Sequence, residues 1–382
     1  MKIGIISSFN ILCGNATYSM AIANALKDNL DKEDGEIIQI DIPTRLRHKQ
    51  EDKIINEITS KIQQCDACNL QFELGLYGTT PTKAVKNLKS IIKSMKKGSI
   101  TMHRIDTANV PLLRDLYRKF KGKQFGLIRS IQSGLVEWYK SYTLTKAYKS
   151  VIKCAYENKL TFIVHTEREK KRLKLIYDDL KVELHPIMWP EYRSTKIDEY
   201  RKQFLNKNLP VVGLFGFVSE YKNYDIVIDL MKSERNLINL LICGGAHPES
   251  SEYGKKGGYI DSLDKKIDNM KSVVWKTGVS DEELVSYMRS VDLCIIPYFE
   301  TGQSGSGIVS LAIQNSNKTI LSDTGVAFMI QPYLDQSLIL FDVASLTNLK
   351  TSIQSALANE DYNPRFKSSF SEMINLYVST LR

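Results

Sequence analysis

The stretch PYFETGQSGSG, Pro297 to Gly307, decides how this chain is read. It follows the apolar run LCIIP and precedes another, IVSLAI. A polar loop with three glycines, Gly302, Gly305 and Gly307, and two serines, Ser304 and Ser306, therefore lies between a buried strand and a helix. One carboxylate, Glu300, stands at its entrance. Glycines let a backbone approach a ligand closely. A helix opening near Gly305–Ile308 aims free N–H groups and the positive end of its dipole at an anion. Serine hydroxyls add donors. Gln303, Ser304, Gly305, Ser306, Gly307 and Ile308 are thus candidate anion-binding residues.

Outward from this loop, apolar runs alternate with helical patterns along the whole chain. KIGIISS, EIIQIDI, ACNLQFEL, GSITMHRI and LTFIVHT read as buried strands, with helix-like stretches such as YSMAIANALKDNL, AVKNLKSIIKSMKKG and REKKRLKLIY between them. A second series opens at PVVGLFGFV and continues through LINLLICGG, SVVWKTG, DLCIIPY and KTILSD, with helices YDIVIDLMK, DEELVSYMRS and IVSLAIQN. Alternation of this kind implies parallel sheets with helices on both faces. Two series imply two doubly wound, Rossmann-like α/β domains facing a cleft. We expect domains at 1–188 and 207–360, joined where Pro186 and Pro190 break the pattern, and a terminal helix within 361–382 that packs back toward the N-terminal domain. Ser280 and Glu283 have the spacing of a capping box and predict a helix start.

The 382 residues suffice for two domains, and 43% hydrophobic with 25% charged residues is a globular composition. No apolar run reaches the roughly 18 residues of a membrane span. The opening MKIGIISSFN is too short in apolar residues for a signal peptide, so a cytoplasmic location is expected. Of six cysteines, Cys65 and Cys68 form a CxxC without the second pair that a zinc site needs, and the expected role is structural.

In open parallel sheets ligands bind beyond the carboxyl ends of the strands. Three further loops qualify. FGFVSEYKNYD, Phe215 to Asp225, carries Gly216 and Lys222, whose ammonium could neutralise a departing phosphate. TMHRIDT, Thr101 to Thr107, brings His103 to a strand end, followed by Arg104 and Asp106. NILCGNATYS, Asn10 to Ser19, places Gly14 after the first strand without a dinucleotide fingerprint.

The order and spacing of these pieces, together with CNLQFELGLYG, FIVHTEREKKRL, LLICGGAHPE and WKTGVSDEELVSYMRSVDLCIIPY, resemble the two-domain nucleotide-sugar glycosyltransferases of the GT-B fold, in particular glycosyltransferase family 4. The likeness spans nearly the whole chain. It implies retaining transfer of a sugar from a nucleoside diphosphate, with no cofactor and no obligatory metal. It implies that Lys222 and the amides around Ser304–Ile308 hold the diphosphate, that Gly278 borders the base, that Gly14 and Gly216 belong to the donor site, and that His103 touches the sugar. Catalytic roles fall to His103, Glu300 and Lys222, and acceptor-side roles to Arg104 and Asp106. Two departures stand out. The family often has two glutamates separated by seven residues, but eight positions beyond Glu300 lies Ile308. Phe217 stands where an arginine often precedes the phosphate lysine.

Where the family's connection can be short, this chain carries LLRDLYRKFKGKQFGLIRSIQSGLVEWYKSYTLTKAYKSVIKCAYENK. Between Arg104 and Lys159 twelve Lys and Arg face four Asp and Glu, a surplus of +8 within a net charge of +9. We expect a helical insert, at about 108–159, of two or three amphipathic helices whose aromatics lie among cations. An anionic partner follows: membrane lipid headgroups, with peripheral attachment at the inner face of the membrane, or alternatively DNA. The acceptor expected first is a membrane-associated glycan or lipid precursor. A hydroxymethylated base flipped from a duplex is the alternative. Two other readings remain open: a non-catalytic scaffold of the same fold, and a nucleotide-sugar epimerase.

Overall fold

The computed structural model describes residues 1–10, 14–30, 35–43, 51–105, 127–192, 197–204, 206–246, 258–299 and 305–382. The chain divides into two compact units. The first takes in Asn15–His185 with Met1–Ile11 and Ile374–Arg382, and the second takes in Pro186–Met373.

The first unit contains β1 (Lys2–Ser7), α1 (Gly14–Leu30), β2 (Glu36–Asp41), α2 (Glu51–Gln63), β3 (Ala67–Phe72), α3 (Pro81–Ser94), β4 (Gly98–Met102), α4 (Leu127–Glu157), β5 (Thr161–Val164), α5 (Glu167–Lys174) and β6 (Val182–Leu184). Its strands form one sheet in the order β2-β1-β3-β4-β5-β6, with every pairing parallel. All six residues of β3 are buried, which a strand covered on both faces requires. Cys68, Leu70 and Phe72 enter the main apolar cluster with Leu88, Ile91 and Ile92 of α3. Asn69 and Gln71 alternate to the opposite face. The start of α3 is set locally: Thr80 accepts the Lys83 N–H, and Pro81 occupies the first turn, where its missing N–H costs nothing.

The second unit contains β7 (Val211–Phe215), α6 (Tyr224–Ser233), β8 (Asn239–Cys243), α7 (Tyr259–Ile267), β9 (Val273–Lys276), α8 (Asp281–Ser290), β10 (Leu293–Ile296), α9 (Gly307–Asn315), α10 (Gly325–Ile330), β11 (Thr319–Ser322, between α9 and α10), β12 (Leu340–Phe341), α11 (Leu346–Ala358) and α12 (Phe370–Leu381), whose last residues belong to the first unit. This sheet runs β12-β11-β10-β7-β8-β9, again all parallel. The expected capping box is present: Ser280 accepts from Glu283 N–H, and Glu283 accepts from Ser280 N–H.

Ten of the twelve strands coincide with the apolar runs of the sequence. The two that do not, β6 and β12, are edge strands of three and two residues, too short for a periodicity to register. Of the expected basic insert, residues 106–126 lie outside the described residues. Residues 127–157 form one helix of 31 residues, α4, rather than several short ones. Both Cys65 and Cys68 are buried thiols. Among the described residues no helix is long and apolar enough to cross a membrane.

Candidate functional site

The strand order of the second unit locates its ligand-binding end. The chain winds outward from β7 through β8 to β9, then returns to place β10 on the other side of β7. The loops leaving β7 and β10 therefore diverge, and in such sheets the crevice at that reversal is where ligands bind. These loops are residues 216–223 and 297–306, the two that the sequence singles out.

Gly216 is the meeting point. Its φ of +90° lies in the region that favours glycine, and a Cβ there would sit 2.9 Å from Lys222 Nζ and 2.8 Å from Ile308 Cγ1. The lysine head and the first turn of α9 are thus packed on the same backbone atom. Lys222 is 4% exposed, and its Nζ lies 5.8 Å from the centroid of the Tyr298 ring. Among the described residues no acceptor stands within hydrogen-bonding distance of it. Burial pushes its pKa down to about 7, with no carboxylate among the described residues to offset it. A short helical turn at Glu220–Lys222 and the left-handed Asn223 (φ 50°, ψ 46°) fix the lysine's backbone. Phe299 N–H donates to Tyr221 O at 2.8 Å and ties the β10 exit to this turn.

The opening of α9 is held from behind. Ser306 caps the helix by accepting from Val309 N–H. Trp189 Nε1–H donates to Gly307 O at 2.9 Å, while the Gln314 amide clamps both backbone groups of Trp189. A Cβ at Gly307 would press on Trp189 Cζ2 at 2.9 Å, so the indole fits only against glycine. The N–H groups of Gly307 and Ile308 have no intrahelical acceptor, as in any first turn. On the same two loops the Ser219 and Tyr298 hydroxyls and the Asn223 amide nitrogen are buried without a hydrogen-bond partner. Buried polar groups are rarely left so. A buried lysine, a helix start and three polar atoms without partners among the described residues form a candidate receptor for an anion.

The first unit presents a different arrangement. His103, just past β4, has Nε2 at 2.9 Å from Gln71 Oε1 and Nδ1 at 3.2 Å from His165 Nε2. His165 Nδ1 in turn lies 3.0 Å from the carbonyl oxygen of His185. The two imidazoles stack at 5.1 Å, and Tyr18 meets each edge-on. Behind them, Asn69 and Gln71 bond to each other and to Ser99 and Thr101, and Thr101 bonds to Tyr377 of α12. Burial pushes His165 down to about 4 and His103 well below the ordinary histidine range, so both rings are neutral at pH 7. Each nitrogen of His103 lies within hydrogen-bonding distance of a neighbour, and two neutral rings carry two protons for the three contacts of this row. A sugar hydroxyl reaches Nε2 only where Gln71 yields it.

The remaining expected residues are distributed as follows. Gly14 is the exposed first residue of α1, with open space where a side chain would be. Gly278 follows β9 with φ +69° and likewise has nothing within 4 Å of a Cβ position. Gly305 lies against Ile187. Arg104 is exposed. Asp106, Glu300, Gln303 and Ser304 lie outside the described residues, so the geometry of the missing glutamate pair does too. Sequence reasoning missed Gln71, His165, Trp189 and Tyr298. The one signal for Gln71 was a polar residue alternating inside an otherwise apolar strand; the other three carried no local mark.

No family model matches the chain, and no curated protein matches it in sequence. Solved structures do match over its whole length. A sucrose-phosphate synthase from Thermosynechococcus elongatus has a TM-score of 0.61 at 14% identity, covering 100% of this chain and 94% of the other. Anabaena HepE in complex with UDP gives 0.59 at 12%, covering 100% and 96%. A glycosyltransferase from Rickettsia africae gives 0.55 at 12%, covering 100% and 94%. The shared architecture is the two-domain GT-B fold expected from the sequence.

Proposed function

We propose that this chain is a glycosyltransferase that takes a sugar from a nucleoside diphosphate. The observation that carries the reading is the convergence of Lys222 Nζ and the α9 start on Gly216, at the reversal of strand order between β7 and β10. A departing diphosphate needs positive charge and N–H donors; a lysine and a helix terminus supply both without a divalent metal. Fold neighbours such as HepE have been solved with UDP and with UDP-glucose, which supports the same ligand class here. We read the transfer as retaining and of the family 4 type, through an oxocarbenium-like state. The leaving phosphate takes the acceptor proton, so no dedicated base is required. His103 contacts the sugar after exchanging its Gln71 bond, and Arg104 lies on the acceptor side.

For the acceptor, we favour a membrane-associated glycan or lipid precursor. On α4, Trp138 and Tyr142 stack at 5.6 Å, Lys146 lies over the Tyr142 ring, and Tyr139 is exposed. Aromatics and lysines on one exposed helix suit an anionic headgroup layer. DNA is the alternative, and binding to anionic liposomes against duplex DNA separates the two. The donor reading is tested with a thermal-shift panel of nucleoside diphosphates and their sugars, because a bound ligand raises apparent stability by mass action. One nucleotide is expected to shift the wild type, and Lys222→Ala to abolish donor hydrolysis and transfer. Flat responses to every nucleotide defeat the reading. Binding without turnover would favour the non-catalytic scaffold instead.

A further inference from the structure

The proposed function assigns Tyr298 no contact with the donor, yet among the described residues it is the most deeply buried polar side chain on the loop leaving β10. Its residue is 2% exposed. The ring is wedged between Lys222, whose Nζ is 5.8 Å from its centroid, and the edge of Tyr221 at 5.4 Å. Its backbone oxygen accepts from the Ser322 hydroxyl at 2.7 Å, which fixes where the side chain starts. The side chain ends beside Ser306, the cap of α9.

The hydroxyl has no hydrogen-bond partner among the described residues. Ser306 Oγ, which accepts from Val309 N–H, does not meet hydrogen-bond geometry with the phenol, so the phenol proton has no acceptor among the described residues. Burial pushes its ionisation well above the ordinary tyrosine range, so the group is a donor throughout the physiological range. A buried donor without an acceptor is costly and calls for a reason. Here it sits beside a buried lysine and at the start of a helix, and the missing partner is an anionic oxygen.

We infer that Tyr298 is a binding residue of the donor site, its hydroxyl donating a hydrogen bond to a phosphate oxygen of the nucleoside diphosphate. This rests on the nucleotide-sugar reading. It also supplies a donor to a site where Phe217, on the loop leaving β7, occupies the place of the resembled family's frequent arginine.

The test is Tyr298→Phe, with UDP, GDP and inorganic pyrophosphate as probes, by thermal shift and calorimetric titration. Phenylalanine fills the same space without a partnerless hydroxyl, so the ligand-free variant is expected to melt at or above the wild-type temperature. Its dissociation constant for the bound probe is expected to rise about ten-fold or more, the scale of one hydrogen bond to a charged group. Tyr362→Phe is the control. Its hydroxyl bonds to Thr319 O and Ile339 N–H, so that variant should lose stability and keep its affinity. Equal affinities of wild type and Tyr298→Phe overturn the inference while the donor reading stands. A lower melting temperature for ligand-free Tyr298→Phe also overturns it, because the hydroxyl then has a partner already, such as a trapped water. Binding of pyrophosphate alone, weakened in the variant, supports the inference and removes the nucleotide. No response to any probe removes both.

Discussion

The surroundings of Lys222 and the surroundings of His103 are both polar places inside a sheet protein, and they solve burial in opposite ways. Around His103 each nitrogen of the His103 and His165 rings lies within hydrogen-bonding distance of a polar atom, and the chain of bonds runs on through Gln71, Asn69 and Thr101 to Tyr377. Around Lys222 burial is the one influence on the amine among the described residues, and Ser219, Asn223 and Tyr298 each carry a buried polar atom without a partner there. A satisfied network rigidifies what it contains, whereas an unsatisfied one holds a cost that only an incoming group removes. The first arrangement fixes the position of an imidazole. The second is the arrangement on which the proposed donor site rests.

Opposite stability responses would bear this contrast out, and the largest effect is expected at Lys222. Replacing it by methionine should cut transfer by about 10²–10³-fold, the loss typical of one preorganised charge-stabilising donor. The same change should raise the ligand-free melting temperature, because an unpaired buried amine is exchanged for an apolar chain of similar length. A fall in melting temperature would mean that the amine is paired, and the contrast between the two regions would collapse.

At the other region, His165→Phe should destabilise the protein by about 1–3 kcal/mol, since it leaves His103 Nδ1 buried without a partner. Chemical denaturation at pH 7 measures this. The acid limb should also become shallower. With a folded pKa of about 4 against about 6.5 unfolded, His165 makes the unfolded state bind more protons as pH falls through that window. Stability is therefore lost from about pH 6.5 down to about pH 4, and removing the ring removes that part of the slope. An unchanged slope would show that His165 is solvated.

For Lys222 the window lies on the alkaline side. Its folded pKa of about 7 is below the unfolded 10.5, so between these values the unfolded state holds the extra proton and stability rises with pH, by up to about 1.4 kcal/mol per unit. Diphosphate affinity should run the other way and weaken above about pH 7, as the empty site must gain a proton to bind. Melting curves and titrations between pH 7 and pH 10 read both trends, and parallel trends would contradict the cage.

The smallest effect calibrates the others. Ser345→Ala removes the cap of α11, a residue assigned to neither region, and should cost about 1 kcal/mol, with affinity and pH slopes unchanged. Any shift in nucleotide binding from this change would show that effects at the two regions are not local.

How legible the molecule was follows a physical divide. Gly305, Ser306, Gly307 and Lys222 could be singled out as candidates because a ligand loop in a parallel sheet follows an apolar strand and uses residues that free the backbone. His103 could be found from its place at a strand end, but its saturation by Gln71 and His165 could not. Those three sit on β3, past β4 and past β5, neighbours in space through sheet order alone. Trp189 was read only as part of a join, because nothing in HPIMWPEY says that its indole will brace a helix more than a hundred residues later.

Taken by itself, the amino-acid order determined the alternation of strands and helices, the two-layered series, the cap at Ser280 and the loops able to host an anion. Each of these is written in periodicity or in local backbone chemistry, which act over a few residues. Only the tertiary structure decided that Lys222 and the first turn of α9 meet at Gly216, and that the two polar clusters differ in how far their hydrogen bonds are satisfied. Crossover connections in a parallel sheet bring together segments that are remote along the chain, and hydrogen-bond satisfaction depends on that meeting.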